Sequence, residues 1–77
     1  MKIDYTERGF RIAAFKDRNG ELCSIQESSS VTPSIWLGCG SDRMHLSQKM
    51  AKNLIPLLEH FVKHGILPDR ASAASAS

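Results

Sequence analysis

The chain has 77 residues, a net charge of +2, 42% hydrophobic residues and two cysteines. A domain this small buries a modest share of its surface and is marginal alone, so association into a homo-oligomer is expected. No apolar run approaches the ~20 residues that span a bilayer, no signal-type run opens the chain, and the mild, dispersed positive charge lacks the basic stripe of a duplex-binding domain; the expectation is a cytoplasmic protein without membrane contact or a duplex nucleic-acid partner.

Residues 1–8 read as a first extended segment with Ile3 and Tyr5 on one face. The run RGFRIAAFKDRNGELCSIQESS carries the clearest local signal, because Asn19-Gly20 separates two β-rich stretches and Asn-Gly is a strong hairpin cue. Strands are expected over residues 10–17 and 21–26. A two-residue loop would set Lys16 opposite Cys23 and Ala14 opposite Ile25, gathering Phe10, Ile12, Ala14, Cys23 and Ile25 on the core face. A longer loop with Gly20 in a bulge would shift that pairing and move residues between faces.

Residues 27–33 form a polar loop, and Pro33 is barred from the interior of a central strand. Residues 34–38, SIWLG, read as a third strand, and residues 39–42 as a turn. Residues 43–46 alternate, with Met44 and Leu46 on one face and Arg43 and His45 on the other. Cys23 and Cys39 are too few for a disulfide scaffold and read as reduced thiols, one in the core and one in the turn.

From residue 47 to 65 the pattern becomes helical: Met50, Ala51, Leu54, Leu57, Leu58, Phe61 and Val62 recur at three- and four-residue steps. Ser47 is a good N-cap, Pro56 introduces a kink, and Lys63, His64 and Gly65 close the helix, after which Ile66 and Leu67 are expected to fold back on the core. The fold class is therefore α+β, an antiparallel meander of three to four strands packed against one C-terminal helix. It forms a single domain over residues 1–68, followed by an Ala/Ser-rich flexible tail over 69–77. One helix covers one sheet face, and the other carries Phe15, Leu22 and Trp36, a set of large apolar residues that marks contact with something.

No catalytic constellation emerges, so an enzyme is not expected, nor a cofactor. His60 and His64 lie four apart on the helix but have no third ligand nearby, and Cys39 lacks an orienting acid. Gly38 and Gly40 precede a strand, whereas a phosphate cradle needs glycines opening a helix. The density of small polar groups after the second strand reads either as a hydrophilic loop or as donors and acceptors offered by Gln26, Ser28 and Ser29 at a sheet end. Arg43 and His45 add a permanent cation and a titratable donor, either as incidental charge on a solvated strand or as partners for phosphate oxygens. Trp36 reads as a core or dimer-interface aromatic, with stacking on a base the alternative.

In order, the F-x-D-x-N-G hairpin at residues 15–20, CSIQESS, IWLG, RMHL and the leucine-rich final helix resemble a group of small phage and prophage proteins, over residues 9–67. That resemblance implies phage counter-defence, with the Thoeris anti-defence sponges, which sequester cyclic nucleotide immune signals as symmetric oligomers, as the best candidate. It implies an anionic-nucleotide pocket lined by Gln26, Ser28 and Ser29 of one chain with Arg43 and His45 of the same or a neighbouring chain. This chain shortens the segment between Gly38 and Arg43, where the group commonly carries a long insertion, so any part of a pocket built from that insertion is missing. Two other readings are open: a protein-binding inhibitor of a host defence complex, of the anti-CRISPR type, and a structural phage accessory protein.

Overall fold

The computed structural model describes residues 1–69, so the expected Ala/Ser tail lies, from Arg70 onward, outside the described residues. The chain divides into two compact units, Met1–Ser47 and a second that begins at Gln48. The first is a five-stranded sheet of β1 (Asp4–Tyr5), β2 (Arg11–Lys16), β3 (Leu22–Glu27), β4 (Ser34–Cys39) and β5 (Asp42–Ser47), every neighbouring pair antiparallel and in sequence order. The second contains α1 (Gln48–His64). This is an α+β fold, an antiparallel meander with one C-terminal helix, and it has five strands where three to four were expected; the addition is the short β1, which pairs Asp4 with Ile12 and Tyr5 with Arg11.

Two turns of one design set the register. At the β2–β3 connection the Asp17 amide donates to the Glu21 carbonyl (3.0 Å) and the Gly20 amide to the Asp17 carbonyl (3.0 Å), with Gly20 at φ 84°. Asn19 does not take a positive φ, so the loop is a type I turn closed by a glycine bulge rather than a primed two-residue turn. Asp17 drives this choice: its Oδ1 accepts from the amides of Asn19 (2.8 Å) and Glu21 (3.0 Å), the turn-opening habit of aspartate. Thr6–Phe10 repeats the design, with Thr6 Oγ1 accepting from the Phe10 amide (3.1 Å).

The extra loop residue moves the pairing by one position, to Phe15 opposite Cys23 and Ala13 opposite Ile25. The expected division of faces is corrected accordingly: Ala13 and Phe15 share a face with Cys23 and Ile25, together with Ile35, Leu37, Met44 and Leu46, whereas Ile12 and Ala14 turn to the opposite face beside Leu22, Trp36, Arg43 and His45. Ala13 and Cys23 are the buried hydrophobic residues among those described, at 2% and 3% exposure.

The strand β4 runs one residue past Gly38, so Cys39 belongs to the sheet and faces Cys23 directly. The two are joined in a disulfide, which overturns the expectation of two reduced thiols; spacing along the chain gave no sign of a pairing created by strand register. Gly40 at φ 56° then opens the tight turn to β5, with Cys39 paired to Asp42 as in a type II′ hairpin.

The helix α1 runs continuously through Pro56 and ends where Gly65, at φ 74°, donates its amide to the Phe61 carbonyl (2.8 Å). No residue of α1 is buried, and Leu58, Phe61 and Val62 are each more than half exposed. Ile66 and Leu67 are 65% and 61% exposed, and His60 Nδ1 donates to the Ile66 carbonyl (3.0 Å), tying the exit backbone to the helix end. Among the described residues, no helix is long and apolar enough to cross a membrane.

Candidate functional site

The register that buries Ala13 and Cys23 lifts a polar row onto the opposite face of the sheet. Gln26, Trp36 and His45 lie directly across from one another on β3, β4 and β5, and Arg43 stands opposite Gly38 in the next row. Paired residues of antiparallel strands point to the same side, so these four side chains meet above one surface.

Trp36 and His45 stack, with ring centroids 4.0 Å apart and planes within 12°. His45 Nε2 and Ser28 Oγ share a hydrogen bond of 2.9 Å, which ties the ring to the loop after β3. Arg43 lies with its guanidinium carbon 5.3 Å from the centre of the Trp36 ring, and its Nη1 donates to Gln26 Oε1 at 3.2 Å. Gly38 makes that crossing possible. A Cβ there would meet the Asp42 carbonyl oxygen at 2.5 Å and Arg43 Cα at 2.8 Å, and would press on Arg43 Cγ.

Four of the five sequence-predicted residues, Gln26, Ser28, Arg43 and His45, are therefore linked in one cluster around Trp36. Ser29 is exposed and lies beside it, on the wall of an open groove of about 390 Å³ that Gln26 and Trp36 also line. The electrostatics favour an anion at Arg43. Its partner is a neutral amide oxygen rather than a carboxylate, and its buried Nε has no hydrogen-bond partner among the described residues.

The groove adds residues that the sequence did not single out. Arg8 and Phe10, from the β1–β2 turn, form its far wall, with the Arg8 guanidinium carbon 5.4 Å from the Phe10 ring centre. The signal available in the sequence was the Gly9 turn between them, which joins the short strand β1 to β2. Glu7 and Glu27 bring negative charge to the same rim. Glu27 is already engaged: its Oε1 accepts from the Arg11 amide at 2.7 Å and its Oε2 from Arg11 Nη1 at 3.1 Å. The amide bond, aided by the guanidinium and opposed by desolvation, holds the Glu27 carboxyl below its ordinary pKa, and Glu27 in turn raises that of Arg11.

The histidines of α1 play no part here. His60 and His64 stand 4.5 Å apart at their ring centres, and His60 Nδ1 is committed to the Ile66 carbonyl. An anionic, planar molecule would find on the sheet face a guanidinium charge that faces no carboxylate among the described residues, aromatic walls at Trp36 and Phe10, and amide and hydroxyl groups at Gln26, Ser28 and Ser29. No protein-family model, curated protein or solved structure matches the chain.

Proposed function

We propose that the chain is a non-catalytic binding protein that takes up a small anionic nucleotide, of the cyclic immune-signal class, on the polar face around Trp36. In this reading it serves phage counter-defence in the host cytoplasm, as a homo-oligomer, by holding the signal rather than converting it. The observation that carries the reading is Arg43. Its charge lies over an aromatic ring with, among the described residues, an amide oxygen as its hydrogen-bond partner and no carboxylate, so a phosphate would not have to displace an acid there. The groove between Trp36 and Phe10 offers room and stacking surface for a base.

The test is thermal unfolding with a panel of cyclic dinucleotides, cyclic trinucleotides and cyclic ADP-ribose isomers. A ligand at a hundred times its Kd adds about 2.7 kcal/mol, which in a domain of this size raises Tm by roughly 10–20 °C. One member of the panel is expected to do so, and Arg43→Ala to remove the shift. Absence of a shift with every member overturns the reading.

A second reading, a protein-binding inhibitor of a host defence complex, is favoured by a different observation: Ile55, Leu58, Phe61 and Val62 of α1 present large apolar side chains that are at least half exposed. Capture of a defence complex that survives Arg43→Ala and fails with Leu58→Glu would favour it over nucleotide binding.

A further inference from the structure

On the face of the sheet opposite the polar cluster, three metal-ligating side chains converge. The sulfurs of Cys23 and Cys39 and a carboxylate oxygen of Asp17 all lie within 4.8 Å of one another. Asp17 is positioned by its turn: Oδ1 is held by the amides of Asn19 and Glu21, while Oδ2 lies 3.9 Å from Cys39 Sγ. Cys23 is 3% exposed, while Cys39 and Asp17 are half-buried, so the cluster is open on one side. Asp42, the register partner of Cys39, stands on the same face.

A disulfide has no proton to give a carboxylate and no charge to balance one, so the oxidised pair makes no use of Asp17 Oδ2. The reduced pair would. We propose that Asp17, Cys23 and Cys39 form a Zn²⁺ site gated by the redox state of the two cysteines. Two thiolates and one carboxylate are a borderline-soft set that suits tetrahedral Zn²⁺, with the fourth position taken by water. The turn amides on Oδ1 act as the outer shell, fixing the carboxylate before the metal arrives. Three anions packed this closely repel one another, and a dication relieves that repulsion.

The switch balances simply. A cellular thiol reductant supplies two electrons and two protons: the Cys23–Cys39 bond breaks, both cysteines become thiols, and two reductant thiols couple into their own disulfide. Zn²⁺ then displaces the two thiol protons to water. A reducing compartment keeps thiols in the metal-competent state, and oxidation closes the site by re-forming the disulfide. The site is independent of nucleotide binding and stands or falls separately from it.

The experiment uses the full chain, reduced with excess dithiothreitol, desalted without oxygen and titrated with Co²⁺ and then Zn²⁺. The reduced protein is expected to take up one equivalent of Co²⁺ with a thiolate-to-cobalt charge-transfer band and tetrahedral visible bands, both lost on adding Zn²⁺, and the oxidised protein to show neither. Asp17→Asn is the decisive variant, since asparagine keeps an oxygen for the turn amides and loses the ligand charge; it should weaken binding at least ~10-fold, the smaller of the effects seen when ligand support is lost. Zn²⁺ should also raise the Tm of the reduced protein and not that of the oxidised one, which separates a folded site from thiols binding metal in an unfolded chain. No charge-transfer band in the reduced protein, an affinity unchanged by Asp17→Asn, or a Zn²⁺ effect on Tm that is absent from the reduced form would each overturn the proposal.

Discussion

Arg43 reaches Gln26 across Gly38: the guanidinium spans the width of β4 to place Nη1 3.2 Å from Gln26 Oε1, over a residue that has no side chain to block it. One glycine thus joins the last strand of the meander to the third and makes a single surface of residues 17 positions apart in the chain.

Gly38→Ala should therefore damage both stability and site. The added Cβ would meet backbone atoms at 2.5 and 2.8 Å, which cannot rotate away. A loss of about 1–3 kcal/mol is expected from such overpacking, measured as a lower urea midpoint at unchanged m-value. Gly20→Ala is the comparison, because nothing lies within 4 Å of its Cβ; its cost comes from the positive φ alone, about 1–2 kcal/mol.

Reduction of the Cys23–Cys39 bond in metal-free buffer should destabilise the chain. The bond closes a loop with a sequence separation of 16, and releasing a loop of that length costs about 3 kcal/mol in chain entropy. Tm should fall by roughly 12–24 °C in a domain of this size. Unfolding followed with and without reductant, in the presence of a chelator, checks this.

Glu27 makes stability depend on acid. Its folded-state pKa lies below the ordinary 4.5, first through the Arg11 amide and further through the Arg11 guanidinium. The unfolded chain therefore binds more protons across the window below 4.5, and the stabilisation, complete above it, is lost as pH falls through the folded value. Glu27→Gln should flatten that part of the pH–stability curve, and a slope unchanged by the substitution would contradict the assignment.

Trp36 is the only tryptophan, so its fluorescence reports the site directly. His45→Ala removes the stacked ring and should shift the emission to the red as water reaches the indole. The lost contact is expected to cost about 0.5–1.5 kcal/mol. Ser28→Ala, which removes only the bond that tethers His45, should give a smaller shift in the same direction.

How much of this was legible in the sequence depends on which interaction set each feature. Alternation along residues 43–46 put Arg43 and His45 together on the face away from Met44 and Leu46, and the register agrees, because a period of two needs no knowledge of the turn. The β2–β3 pairing did depend on the turn. Asn19-Gly20 resembles a two-residue hairpin, but Asp17 two positions earlier offers Oδ1 to two amides and draws the chain into a longer loop, moving Phe15 and Ala13 onto the buried face. The disulfide and the Asp17 cluster were out of reach for the same reason, since they exist only in the final register. Trp36 was legible as a core or interface aromatic, or as a stacking platform, but not its partners: Arg43 and His45 come from a strand that begins six residues later, and only pairing brings them to its ring.

Whether the face around Trp36 and Arg43 receives an anionic nucleotide is decided by NMR titration of the labelled chain with the cyclic nucleotide panel. The Trp36 indole N–H, the Gln26 side-chain amide and the backbone amides of Ser28 and Ser29 should move together and saturate with one ligand, and Arg43→Ala should abolish the movement. Shifts confined to α1, or spectra unchanged by every member of the panel, would contradict nucleotide binding on this face.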